Sequence, residues 1–296
     1  MSDGDLVAGE LAIGGMARRF TTRPPRRPAV GAGVGAGADR AVPLVLVLHG
    51  NGLGGQVMRE WTTFDRQADA RGWAVAYPDG HEACWADGRC VTAADGAGVD
   101  DVAFLRAIID WSAARYGTVP DRSVVAGMSN GAFMAHRLAL QAGDRVAVLA
   151  AVAGGMPAAL AESRPAHAVS AMLIHGTADR VSPIGGGYSR RRGPHGEPRG
   201  RTLSLGETAE RWRAVDGCPP GPGATRTTDY SSRTASDSGA GGTRVVAWTV
   251  FGAGHTWPGT PVPPEWDERS TLEFDAAEEI CGFAAPLLVP ADARRR

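Results

Sequence analysis

From Pro43 onward, short apolar runs alternate with longer segments of helical period, and this alternation restricts the chain to few architectures. The runs are rich in Val, Leu and Ala and lack the polar alternation of a half-exposed strand. Strands are predicted at 43–48, 73–77, 122–127, 146–152, 170–175 and 244–250. Helices are predicted near 56–70, 100–115, 130–142, 204–214 and 270–285. The pattern indicates an α/β fold whose mostly parallel central sheet carries helices on both faces.

The same pattern divides the chain into three parts. Residues 1–40 hold β-like pieces at 11–13 and 18–22 and a flexible Arg/Pro/Gly connector, residues 41–288 form the α/β domain, and 289–296 form a charged tail. The glycine run at 31–37 does not match the G-x-G-x-x-G pattern of a dinucleotide loop, so it is interpreted as connector. Two further segments, 185–201 and 219–242, are predicted to be mobile surface loops.

Composition excludes several classes of chemistry. All 31 basic residues are arginine, which rules out a Walker phosphate loop, a pyridoxal Schiff base and a kinase-type lysine. The net charge of −1 and pI of about 6.7 predict no nucleic-acid or membrane partner and favour small, neutral or weakly charged ligands. The N-terminus lacks the features of a signal peptide and no long apolar run follows. A cytoplasmic location is the default expectation.

The four cysteines do not show the spacing of a zinc site, and no metal is expected. Cys84 and Cys90 are close enough in sequence to close a small disulfide loop if the protein is exported. Whether they do so is left open. Cys281 lies in an apolar helical stretch and is predicted to be a buried thiol.

The segment from Ser123 to Phe133 predicts a strand that turns sharply into a helix through Gly127-Met-Ser129-Asn-Gly131. This is the pattern of a nucleophile elbow, in which a strained turn exposes a serine hydroxyl. A serine hydroxyl is a poor nucleophile, so it needs a base and donors for the developing oxyanion. The alternative is that Ser129 caps the helix.

Two later post-strand loops supply the partners. The first is His175-Gly-Thr-Ala-Asp179 and the second is Gly254-His255-Thr-Trp257. The chain order Ser, Asp, His is that of α/β-hydrolases and differs from chymotrypsin and subtilisin. We therefore predict Ser129 as nucleophile, His255 as general base and Asp179 as the residue that orients it. Taken singly, Asp179 could form a turn and His255 could lie on the surface.

Four more residues are candidates for the site. Backbone N–H groups of Asn130 and of Asn51, or its neighbour Gly52, are predicted to bind the oxyanion. Trp85 and Trp257 lie on loops near the site, where each lines the acyl pocket or packs in the core. The post-strand residues His49 and His175 are predicted to support these loops.

Together these residues resemble the polyhydroxybutyrate depolymerase family of esterases, which includes feruloyl and acetylxylan esterases. The resemblance spans roughly residues 15–285. It rests on the segments 43–50, 77–80, 100–105, 127–131, 175–179, 185–186 and 254–259, with Trp212 and Cys218. It implies an α/β-hydrolase fold, a triad of Ser129, Asp179 and His255, and hydrolysis of hydroxyalkanoate or hydroxycinnamate esters. It also implies an extracellular location as the alternative to the cytoplasm.

The chain departs from the family pattern at three points. Ala132 stands where family members usually have a second glycine after the elbow. Family members often pair a cysteine like Cys218 with one in the next loop, where this chain has only Ser and Thr. No export signal or polymer-binding module is visible. The prediction is therefore a serine carboxylic-ester hydrolase, working through an acyl-enzyme without metal or cofactor on soluble oligomers or small esters. Acyl transfer by the same triad and an inactive hydrolase fold used for binding are the alternatives.

Overall fold

The computed structural model describes residues 6–26, 42–192, 196–219, 221, 223–262 and 268–289. Its strands are β1 (Val7–Ile13), β2 (Met16–Arg23), β3 (Leu44–Leu48), β4 (Ala74–Pro78), β5 (Ser123–Met128), β6 (Val146–Val152), β7 (Ser170–Gly176), β8 (Gly187–Tyr188), β9 (Arg201–Thr202), β10 (Ala224–Thr227), β11 (Ser231–Ser236) and β12 (Val245–Val250). Its α-helices are α1 (Gly55–Trp61), α2 (Phe64–Arg71), α3 (Ala93–Gly96), α4 (Asp101–Tyr116), α5 (Asn130–Gln141), α6 (Leu205–Val215) and α7 (Ala276–Ala284).

Ten of these strands form one sheet, in the order β1-β2-β4-β3-β5-β6-β7-β12-β11-β10. The six central strands, from β4 to β12, are parallel, whereas the pairs at both edges are antiparallel. Each of the six strands predicted from Pro43 onward is present to within one residue at each end. The prediction of a mostly parallel sheet is confirmed.

The sheet separates two hydrophobic cores. Strand β3 is buried along its whole length, with Leu44, Leu46 and Leu48 in one core and Val45 and Val47 in the other. Helices α4, α5 and α6 cover the first face, and α1, α2 and α7 cover the second. Burial on both faces explains why the strand sequences are continuously apolar. None of the helices described is long and apolar enough to span a membrane.

Two predicted helices differ from the observed ones. The helix expected at 56–70 is interrupted by Thr62, whose extended backbone separates α1 from α2. The Thr62 hydroxyl donates to the Met58 carbonyl oxygen at 2.6 Å, which closes the end of α1. The helix expected at 270–285 begins only at Ala276, because the Asp275 carboxylate accepts N–H groups of the first turn.

The two segments predicted to be mobile loops contain strands instead. In 219–242, β10 and β11 form a hairpin that extends the sheet beyond β12, and in 185–201, β8 pairs with β9. The Ser- and Thr-rich hairpin lacks an apolar signal because its outer strand is exposed. Backbone pairing and hydroxyl contacts hold it, such as Thr225 to Thr234 at 3.2 Å. The glycine run at 31–37 and the tail from 290 onward lie outside the described residues.

A buried ion pair attaches the N-terminal hairpin to the domain. Arg18 on β2 donates to the Asp101 carboxylate at 2.6 Å, and both side chains are buried. Asp101 also accepts the Ala86 N–H at 2.7 Å. The preceding residue, Asp100, caps α4 by accepting the Ala103 N–H at 2.9 Å.

Cys84 and Cys90 are separate free thiols in the structure, the first buried and the second exposed. The Cys84 thiol donates to the His81 carbonyl oxygen at 3.2 Å. Cys281 is buried, as its apolar surroundings predicted, and burial raises the pKa of its thiol to about 12.

Candidate active site

Ser129 occupies a sharp turn between β5 and α5, where the two elements cross closely. Its backbone has φ of 56° and ψ of −119°, a conformation that side-chain-bearing residues rarely adopt. A Cβ atom added at Gly127 would lie 2.2 Å from the Gly131 carbonyl oxygen, and one added at Gly131 would lie 2.3 Å from the Leu48 carbonyl oxygen. Close backbone approach therefore requires both glycines. The Ser129 side chain makes no capping hydrogen bond to α5.

The N–H groups predicted to bind an oxyanion lie beside Ser129. Asn130 begins α5, Asn51 follows β3, and both line the cavity that contains Ser129. Among the described residues, neither N–H donates to another main-chain group. Gly52, the alternative donor, gives its N–H to the Ala83 carbonyl oxygen at 2.8 Å. The geometry therefore favours Asn51 over Gly52.

His49 supports the turn that carries Asn51. Its Nδ1 donates to the Gly50 carbonyl oxygen at 2.8 Å, and its Nε2 accepts the Gly80 N–H at 2.8 Å. This pattern assigns a neutral ring with its proton on Nδ1. Burial lowers the pKa of His49, which favours the same state.

Asp179 follows β7 and lies between two imidazoles. Its Oδ2 accepts the Nδ1–H of His255 at 2.8 Å and lies 3.3 Å from Nε2 of His175. His175 Nε2 also donates to the Ser182 carbonyl oxygen at 2.7 Å. Burial raises the pKa of Asp179, but hydrogen bonds from His175 and His255 outweigh it, so the pKa lies well below its usual range. The carboxylate is therefore ionised, and its hydrogen bond to Nδ1 fixes the orientation of the His255 ring.

A cavity of about 550 Å³ opens at the carboxyl ends of the parallel strands, and both Ser129 and His255 line it. Phe133 and Trp61 contribute apolar lining, whereas Arg191 and other polar side chains line the rest. The hydrogen bonds of the described residues do not include one between the Ser129 hydroxyl and the His255 ring. The structure thus places Ser129 beside a hydrogen-bonded His255–Asp179 pair on one cavity.

The two tryptophans proposed for the acyl pocket are buried away from this cavity. Trp85 is 0% exposed, and its ring nitrogen donates to the His49 carbonyl oxygen at 2.9 Å. Trp257 is 3% exposed and packs edge-on against Phe64, with ring centroids 5.9 Å apart. Of the two alternatives for each residue, the structure favours packing, because neither side chain has surface available to a ligand.

Comparison with known proteins identifies the family. The sequence profile described as "Esterase PHB depolymerase" matches residues 29–186 of the 296. The protein named "Putative esterase NocK", from Nocardia uniformis subsp. tsuyamanensis, is 32% identical over 277 residues, which cover 89% of this chain and 77% of that protein. The chain belongs to the esterase PHB depolymerase family. It is a carboxylic-ester hydrolase, and the resemblance seen in its motifs is confirmed.

Solved structures agree on the fold of this esterase. An S-formylglutathione hydrolase from Agrobacterium tumefaciens superimposes with a TM-score of 0.59 at 11% identity, covering 96% of this chain and 95% of the other. An acetyl xylan esterase from Aspergillus awamori gives a TM-score of 0.57 at 14% identity, covering 94% and 99%. Both similarities show the α/β-hydrolase fold.

The Asn130 side chain also makes contacts at the cavity that the sequence motifs did not indicate. Its Oδ1 accepts the Trp85 N–H at 2.8 Å, and its Nδ2 donates to Asp87 at 2.5 Å. Asp87 in turn holds Arg89, which lines the cavity. Asn130, which follows Ser129 in the chain, thus positions one wall of the cavity. A polar residue directly before the apolar run 131–135 of the helix was the available signal.

Glu268 is a second residue that the sequence did not reveal. Its carboxylate accepts the His255 N–H at 3.1 Å and lines the same cavity. The contact holds the loop that carries His255. Glu268 follows a Pro-rich stretch without a strand or helix pattern, so no local signal marked it.

Proposed function

We propose that the protein hydrolyses soluble carboxylic esters through an acyl-enzyme on Ser129, with His255 and Asp179 completing a triad. The observation that carries the proposal is the 2.8 Å hydrogen bond between His255 and Asp179 on the cavity that contains Ser129. Soluble oligomers of 3-hydroxybutyrate and small acetyl or hydroxycinnamoyl esters are the proposed substrates, in keeping with the family.

In the first half-reaction, Ser129 Oγ attacks the ester carbonyl carbon while Nε2 of His255 takes its proton. The oxyanion accepts hydrogen bonds from the N–H groups of Asn51 and Asn130, each worth about 3 kcal/mol in the transition state. As the carbon–oxygen bond to the leaving group breaks, His255 returns the proton to the departing alcohol. Asp179 keeps the ring in the required tautomer and stabilises the imidazolium.

In the second half-reaction, water takes the place of the alcohol. His255 removes a proton from the water, whose oxygen attacks the acyl carbon. The bond from that carbon to Ser129 Oγ then breaks and releases the acid. Ser129 Oγ then recovers the proton. The hydrogen bond between Ser129 and His255 is expected to form when a substrate occupies the cavity, because such bonds often tighten only in the Michaelis complex.

The direct test is turnover of p-nitrophenyl butyrate by Ser129→Ala. The variant is expected to lose more than about 10³-fold in kcat/KM, since no other hydroxyl occupies the elbow. The matched control is Ser238→Ala, which makes the same chemical change at an exposed serine outside the cavity. Wild-type turnover by Ser129→Ala would remove the nucleophile from the proposal.

A further inference from the structure

The cavity is rich in positive charge, although the whole chain is nearly neutral. Four arginines line it: Arg89, Arg180, Arg191 and Arg199. Glu268 is the one carboxylate among its lining residues in the described part of the chain. A neutral acetyl or butyryl ester needs no such charge. Arginines gathered in a partly enclosed site create a local potential that favours anions, whatever the net charge of the protein.

Arg89 is held in place by its neighbours. Its guanidinium donates to both oxygens of the buried Asp87, at 3.0 and 2.7 Å, and lies 4.1 Å from the ring centre of Phe133. It also donates to the Arg199 carbonyl oxygen at 3.3 Å. Since Asp87 balances its charge, Arg89 acts mainly to fix the backbone that carries Arg199.

Arg191 and Arg199 differ from Arg89 in lacking a carboxylate partner among the described residues. Both lie in the segment between β8 and β9, where Arg192 and Pro198 are bridged. The Ser189 hydroxyl ties the start of this segment to the Val181 carbonyl oxygen at 2.9 Å. The segment is thereby attached to the loop that carries Asp179, and Arg191 and Arg199 both line the cavity that contains Ser129.

We infer that the site selects esters that carry a carboxylate away from the scissile bond, bound by the guanidiniums of Arg191 and Arg199. A guanidinium presents paired N–H donors that match a carboxylate, and the charge strengthens each hydrogen bond. The inference rests on the proposed function. Among the proposed substrates, an oligomer of a hydroxy acid carries such a carboxylate at its end, whereas an acetyl ester of a neutral alcohol does not.

The test compares pairs of esters in which one member carries an additional carboxylate. The first pair is mono-p-nitrophenyl glutarate and p-nitrophenyl butyrate, in which the carboxylate lies on the acyl side of the ester. The second pair is 4-carboxyphenyl butyrate and phenyl butyrate, in which the carboxylate lies on the alcohol side. For each pair, the ratio of kcat/KM for the anionic ester to that for the neutral ester is measured in the wild type, Arg191→Gln and Arg199→Gln. Dividing the wild-type ratio by the variant ratio cancels the intrinsic reactivity of the esters.

Each variant is expected to lower the ratio about tenfold or more in one of the two pairs, with hydrolysis of the neutral ester nearly unchanged. The pair that responds shows which side of the ester carries the carboxylate. The matched control is Arg192→Gln, an exposed arginine in the same segment that does not line the cavity, and its ratio should equal that of the wild type.

Unchanged ratios in both pairs, for both variants and for the double variant, would overturn the inference. The neutral ester serves as the internal check on folding, because a misfolded variant would lose that activity as well. The outcome is also distinct from failure of the proposed function, which would appear as retained hydrolysis of the neutral ester by Ser129→Ala.

Discussion

Both oxygens of the Asp179 carboxylate accept hydrogen bonds from described residues. His255 donates to Oδ2, while Oδ1 accepts the N–H groups of Val181 and Ser182, each at 2.8 Å. The contacts with His175 and His255 stabilise the charged form and offset the burial that would otherwise raise the pKa of Asp179. The side chain therefore holds both the loop after β7 and the ring of the proposed base.

Replacing this carboxylate by the amide tests its role in the reaction. In Asp179→Asn, the amide oxygen can still accept the two backbone N–H groups, so the fold should persist, but the amide cannot hold Nδ1 of His255 as donor and stabilise its cationic form. We expect kcat for p-nitrophenyl butyrate to fall on the order of 10⁴-fold with an unchanged circular dichroism spectrum. A loss of less than tenfold would show that the carboxylate does not act on the base.

For single residues, the order of the motifs along the chain predicted which residues lie on one cavity. It did not predict the hydrogen bonds that hold each of them. Ser129, Asp179 and His255 could be predicted because each follows a strand whose end faces the same edge. The choice between Asn51 and Gly52 could not, since it depends on whether Ala83 accepts the Gly52 N–H. The burial of Trp85 could not be predicted either, because the exposure of a loop residue depends on which residues far away in the sequence pack against it.

Among the elements, those with an apolar pattern could be predicted and those held by polar contacts could not. The parallel strands are buried on both faces, so their sequences carry the signal along their whole length. The hairpin of β10 and β11 needs only backbone pairing to β12, and its exposed residues show no hydrophobic pattern. The break between α1 and α2 depends on a local threonine hydrogen bond that competes with the helix.

The end of α6 predicts a pH-dependent stability. Asp216 is buried there, and its Oδ1 accepts the Val169 N–H at 3.2 Å just before β7. Its Oδ2 has no hydrogen-bond partner among the described residues. Burial raises the pKa of Asp216 to about 7, while the Val169 contact lowers it to a smaller extent. The folded protein therefore binds a proton that the unfolded chain releases near pH 4.

Because the folded pKa is raised, the stabilising contribution is complete below the unfolded pKa and is lost as pH rises to about 7. Asp216→Asn mimics the protonated form at every pH. We expect its stability advantage over the wild type, measured by urea unfolding, to grow by about 2–3 kcal/mol between pH 5 and pH 8.5. The control is Asp229→Asn, at an exposed position, which should leave the pH dependence unaltered. A constant difference for Asp216→Asn would contradict the account.

For the whole molecule, parallel strand order explains how residues scattered from 51 to 255 meet on one cavity. The loops after β3, β5, β7 and β12 all emerge at one edge of the sheet. Net charge, by contrast, does not describe the local charge of the cavity. A chain of formal charge −1 favoured neutral or weakly charged ligands, yet its cavity gathers four arginines. The sum of charges does not report their positions.

The most direct measurement of the central proposal is the site of covalent labelling by a fluorophosphonate, which reacts with an activated serine and releases fluoride. Since the chain has no lysine, trypsin cleaves only after arginine, and Arg122 and Arg137 bound a peptide that contains Ser129. We predict a single phosphonyl group on that peptide, located at Ser129 by fragmentation and absent from Ser129→Ala. Labelling elsewhere, or equal labelling of the variant, would contradict the account.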